Sequence, residues 1–144
     1  MKKTTSNYRT GKLERFNYSF YFLGQGMTFV IIYSFLQQYA LDAGISALMF
    51  AGVALAIKGW DAINDPIFGV LLEKVHLKGG KYIPWIRLSV IAIPLTTVLI
   101  FAIPSGLPMG WKVAWLVIAY VLWDTAYTIG DVPIYAMSTA MTDN

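Results

Sequence analysis

Two sets of polar residues fall where polar residues are costly. Lys58, Asp61 and Asp65 are spaced i, i+3, i+7 within one apolar run, and Asp124, Thr128 and Asp131 are spaced i, i+4, i+7 within another. At helical periodicity each set shares one face. In the first set Lys58 reaches Asp61 one turn away, which leaves Asp65 the less neutralised carboxylate. Asn64 adds amide oxygen beside it, and Pro66 removes a backbone donor there. A monovalent cation needs several oxygen ligands in a partly dehydrated cavity, and a proton needs a carboxylate. Asp61, Asn64 and Asp65 suit either ligand. In the second set a carboxylate, a hydroxyl and the phenol of Tyr127, four residues before Asp131, suit a polyhydroxylated solute. Carboxylates accept hydrogen bonds from sugar hydroxyls, and aromatic rings stack on sugar CH faces. Pro133 frees a backbone carbonyl close to Asp131.

An ionised side chain at the centre of a bilayer costs about 2.5–3.5 kcal/mol. Such groups therefore pair with one another, or face a bundle interior or a wet pathway. Two readings are open for Lys58 and Asp61: an ion pair that fixes helix packing, or part of an ion or substrate path. Asp124 either joins the second face or lies off the cavity near a boundary. Enzyme chemistry is not expected. The chain has no cysteine and one histidine, His76, outside the apolar runs, and no G-x-S-x-G. Thiolate and multi-histidine metal sites are thereby excluded. The GQG at 24–26 lies in an apolar span and follows no strand, so it is no dinucleotide fingerprint. No cofactor is expected beyond a coupling ion.

The elements that carry these faces are four apolar segments. The 144 residues are 57% hydrophobic and 13% charged, about half the charge of a soluble domain, which points to lipid as the solvent. The expected spans are about 16–40, 46–72, 84–103 and 111–137, and the first alone reaches roughly 37 Å. Residues 1–15 form a polar basic tail, with no cleavage pattern after the apolar run that follows, so the first span reads as a retained anchor. Segment one has no formal charge; Gln25 is its candidate solute contact, and Gly24 and Gly26 suit close helix approach. Aromatics near the predicted ends (Phe16, Tyr18, Tyr82, Trp85, Trp111, Trp115) read as an interfacial belt.

Net charge is +3, but the basic residues form no soluble face, and no nucleic-acid partner is expected. Lys2, Lys3, Arg9, Lys12 and Arg15 sit in the tail, Lys74, Lys78 and Lys81 in the loop after segment two, with Arg87 close by; the opposite side has Lys112. This bias places the N-terminus and the 73–82 loop in the cytoplasm.

Three stretches resemble the glycoside–pentoside–hexuronide:cation symporters of the major facilitator superfamily. KGWDAINDPIFG (58–69) is similar to the family's second-helix signature. GKYIPWI (80–86), preceded by Gly69 to Lys78, is similar to its loop between helices two and three. YTIGDVP (127–133) is similar to its fourth-helix motif. The resemblance covers about the whole chain. It implies an all-α fold, a cation site at Asp61, Asn64, Asp65 and Thr128, and Na⁺ at Asp61 and Asp65 if sodium is the coupling ion, with H⁺ the other choice. It implies sugar binding at Asp131, with Tyr135 standing where the family has a tryptophan near the sugar. Gln25 falls nearest the family's helix-one acid, which this chain lacks. Lys58 matches a basic position that is usually arginine. Gly69, Gly80 and Lys81 match structural and gating positions. Asp124 has no counterpart role.

The expected function is cation-coupled sugar or glycoside symport in the plasma membrane, with a sugar and lipid as partners. The family fold has twelve helices, so the four segments are expected to be its N-terminal part, completed by further helices of the same transporter. The alternative is a complete four-helix transporter working as a homodimer. Such proteins carry their acid in helix one, where this chain has none.

Overall fold

The computed structural model describes residues 11–75 and 78–140, with side chains through Met137. The tail residues Lys2, Lys3 and Arg9, and His76 in the loop, lie outside the described residues. The described chain is all α: α1 (Lys12–Asp42), α2 (Ala47–Lys74), α3 (Ile83–Ile100) and α4 (Met109–Ala140). All four helices are long and apolar enough to cross a membrane.

The helix ends differ from the apolar limits for local reasons. Helix α1 starts inside the polar tail, at Lys12, because Glu14 reaches back to accept from the Gly11 N–H at 3.0 Å and so satisfies one orphan donor of the first turn. Helix α3 stops at Ile100, not Ile103. The Tyr39 hydroxyl donates to the Phe101 carbonyl at 2.8 Å and accepts from the Ile103 N–H at 3.0 Å, so these backbone groups bond to α1. Helix α4 starts at Met109, inside the Pro/Gly-rich turn, because the Pro108 carbonyl accepts from the Trp111 and Lys112 N–H groups. Ser46 caps α2 by accepting from the Met49 N–H at 3.3 Å. Gly44, at φ 91°, closes α1. Its N–H and that of Ile45 return to the Leu41 and Ala40 carbonyls, a left-handed closure that glycine allows without strain.

Helix α4 is the hub. Leu116, Ala119, Tyr120 and Trp123 on α4 form one core with Ile32, Leu36 and Ala40 of α1, Val53 and Ile57 of α2, and Ile100 of α3. A second, smaller cluster joins Phe68 and Leu72 of α2 to Trp85 of α3, with Ile129 and Val132 of α4 against it. At one end of the bundle Lys112 donates to the Ala43 carbonyl at 2.9 Å, and Trp115 donates to the Leu99 carbonyl at 3.0 Å. The first ties the α1–α2 turn to the start of α4, and the second ties the end of α3 to it. Trp85 is buried in the smaller cluster and Trp115 packs partly buried against the larger one, whereas Phe16 and Trp111 are exposed near helix ends. The outer faces carry exposed Phe20, Leu23, Leu55, Ile91, Leu95 and Ile118, as lipid-facing surfaces do.

Candidate cation and solute site

Both polar faces open onto one cavity of about 200 Å³ between α1, α2 and α4. Helix α2 presents Ile57, Lys58, Asp61 and Asp65. Helix α4 presents Tyr120, Trp123, Asp124, Tyr127, Thr128 and Asp131, and α1 adds Phe29 and Tyr33. Asp61 and Asp124 lie close to the midpoints of their helices, so the cavity opens about halfway along α2 and α4.

The two faces are joined by a directional chain. Asn64 Nδ2 donates to Thr128 Oγ1 at 2.9 Å, and Thr128 donates to Asp65 Oδ1 at 3.0 Å. Asn64 and Thr128 are 5% and 4% exposed. The hydroxyl has one proton and spends it on the carboxylate, so its lone pair is left for the amide. The amide, hydroxyl and carboxylate thus converge from two helices with fixed polarity. Asp61, one turn before Asp65, lines the same cavity. Sequence spacing placed these groups on two helices; packing brings Asn64, Asp65 and Thr128 into contact.

Lys58 does not form a buried packing pair. Its Nζ stands 3.5 Å from Asp61 Oδ2, and the two side chains are 61% and 35% exposed. An open pair at that distance holds packing weakly. Lys58 also donates to the Tyr33 hydroxyl at 3.3 Å.

Asp131 meets α1 through Gln25, whose Nε2 donates to Asp131 Oδ1 at 3.0 Å. Gln25 is 4% exposed, and its Oε1 is buried with no close hydrogen-bond partner among the described residues. Asp124 lies on the cavity, not at a boundary, and its Oδ2 is likewise buried without a close partner among the described residues. Tyr135 is not among the cavity-lining residues. It is half exposed, and Phe22 of α1 packs edge-on against its ring at 5.7 Å, on the next turn of α4 beyond Asp131. Gly69 and Gly80 lie outside the cavity lining as well, and Lys81 stands 5.5 Å from the Tyr82 ring. Gly79 and Gly80 adopt φ 113° and 111° and turn the chain into α3.

Phe29, Tyr33, Tyr120 and Trp123 extend the ring of Tyr127 into an aromatic wall. Phe29 stacks on Tyr33 at 4.2 Å and leans on Tyr127 at 5.7 Å; Trp123 lies 5.2 Å from Tyr127 and 5.9 Å from Tyr120. The sequence holds a signal for it. Tyr120, Trp123 and Tyr127 are spaced i, i+3, i+7, so they follow the same stripe as Asp124 and Asp131.

The model for MFS/sugar transport proteins matches residues 18–144. The chain belongs to this family, a family of membrane transporters. It is 34% identical to an uncharacterized symporter of Bacillus subtilis (strain 168) over 134 residues, covering 91% of this chain and 29% of that protein. It is 28% identical to an isoprimeverose transporter of Lactiplantibacillus pentosus, covering 91% of this chain and 27% of the relative. It is 35% identical to a sodium-dependent lysophosphatidylcholine symporter of Danio rerio over 106 residues, covering 72% of this chain and 20% of the relative. The chain therefore spans less than a third of the length of these relatives.

Proposed function

We propose that these helices supply the cation site and one solute-binding wall of a cation-coupled sugar or glycoside symporter of the plasma membrane. The observation that carries this reading is the chain from Asn64 through Thr128 to Asp65, set beside Asp61 in a cavity about halfway along α2 and α4. Asp61, Asn64, Asp65 and Thr128 hold Na⁺ or H⁺. Asp131 accepts from the solute's hydroxyls, Gln25 orients that carboxylate, and the rings of Tyr127 and Trp123 stack on the sugar's CH faces. Thr128 lies one turn from Asp131, so charge added at the cation site changes the field at the solute carboxylate. Each ligand then raises the other's affinity by the same factor. Further helices of the same transporter close the other side of the cavity. The basic tail and the 73–82 loop face the cytoplasm. The isoprimeverose transporter and the sodium-dependent symporter among the relatives support a glycoside substrate and a cation partner.

Uptake of radiolabelled isoprimeverose and other glycosides into vesicles, with and without a sodium or proton gradient, tests this reading. Gradient-driven accumulation of at least one glycoside is expected. Uptake of none, or uptake indifferent to both gradients, would sink it.

A further inference from the structure

Lys58 has two acceptors at its head, and neither contact is closed. Its Nζ is 3.3 Å from the Tyr33 hydroxyl and 3.5 Å from Asp61 Oδ2, whereas a charge-assisted N–H···O bond settles at about 2.7–2.9 Å. The ammonium is therefore shared across α1 and α2 rather than seated on the carboxylate. Tyr33 is held independently of Lys58, because its ring stacks on Phe29, which leans on Tyr127 of α4.

We propose that Tyr33 is a positioning residue for cation coupling: it draws the Lys58 ammonium off Asp61 and keeps that carboxylate open to the coupling cation. The inference rests on the reading of Asp61 as a cation ligand. An ammonium and a coupling cation compete for the same carboxylate lone pairs. With the phenol in place, Lys58 has somewhere else to donate. Without it, Lys58 closes on Asp61, and an incoming cation must first displace it. The tyrosine thus sets the cation affinity without touching the cation.

Tryptophan fluorescence of the purified protein, titrated with NaCl, reads this site, because Trp60 adjoins Asp61 and Trp123 lines the cavity. Tyr33→Phe keeps the ring stack and removes only the hydroxyl. It is expected to raise the half-saturating NaCl concentration about fivefold, the scale of one modest hydrogen bond. In a Lys58→Met background the same change is expected to have no further effect, since the competitor is gone. A purely structural role for Tyr33 would give equal shifts in both backgrounds, and that result overturns the proposal. So does an unshifted Tyr33→Phe titration in a protein that otherwise responds to NaCl. A parent protein whose fluorescence responds to neither NaCl nor acid overturns the cation-site reading together with the proposal.

Discussion

Thr128 carries more of the site than any carboxylate taken alone, because it is the joint between two helices. Thr128→Ala takes the acceptor from one N–H of the buried Asn64 amide and leaves Asp65 without the hydroxyl donor. A stranded buried polar group costs about 1–3 kcal/mol. A lower unfolding midpoint in detergent is expected, together with weaker cation stimulation of sugar binding; a change in neither would remove Thr128 from the site. Asp65→Asn is expected to abolish cation-stimulated sugar binding while leaving the basal binding measurable by titration calorimetry, and undiminished stimulation would refute the assignment. Asp131→Asn probes the proposed solute side. It is expected to lower sugar affinity by at least tenfold, the scale of one charge-assisted hydrogen bond, with the NaCl fluorescence response retained. Loss of both responses together would mean that the two faces are not separate sites.

At the scale of elements, α1 is joined to the bundle by polar contacts along the half that faces the 73–82 loop. Tyr18 donates to the Ile134 carbonyl at 3.2 Å, Tyr21 shares a hydrogen bond with Ser89 at 2.6 Å, and Gln25 meets Asp131. Tyr18, Tyr21 and Gln25 are spaced i, i+3, i+7, one face of α1 turned to α3 and α4. This arrangement needs Gly130. A Cβ there would run into the Tyr21 hydroxyl and the Ser89 side chain, with Ser89 Cβ at 2.9 Å. Gly130→Ala is therefore expected to destabilise the α1–α3–α4 junction by about 1–3 kcal/mol and to shift the neighbouring Asp131. Thermal unfolding checks the first effect. Adding Tyr21→Phe is expected to restore part of the loss, since it removes one of the colliding atoms; a wild-type midpoint for Gly130→Ala would show that the helices separate there at no cost.

For the whole molecule the testable matter is orientation. The chain has no cysteine, so single-cysteine variants report one position each. Lys78→Cys is expected to react with a membrane-permeant thiol reagent in intact cells and to resist an impermeant one. Ser105→Cys, in the turn between α3 and α4, is expected to react with both. The reverse pattern would invert the topology that the Lys and Arg bias implies.

Much of the architecture follows from the sequence itself, for a simple reason: lipid forces each backbone to satisfy its own hydrogen bonds within a helix. Apolar length alone then marks the spans, and a 3.6-residue period alone sorts Lys58, Asp61 and Asp65 onto one face and Asp124, Thr128 and Asp131 onto another. The motifs KGWDAINDPIFG and YTIGDVP identify the family. Periodicity gives a face its direction on its own helix, but not which neighbour it meets. That depends on helix packing, and packing decided several points the sequence left open. Asn64 and Thr128, 64 residues apart, became hydrogen-bond partners. Gln25 found Asp131, Asp124 joined the cavity, and Tyr135 turned away to Phe22. Lys58, paired in sequence with Asp61, proved to be shared with Tyr33, a residue on another helix that no spacing rule connects to it. The sequence determined which charges must be sheltered from lipid. Only the tertiary structure decided with whom each is sheltered, because that is fixed by side chains packing across helices.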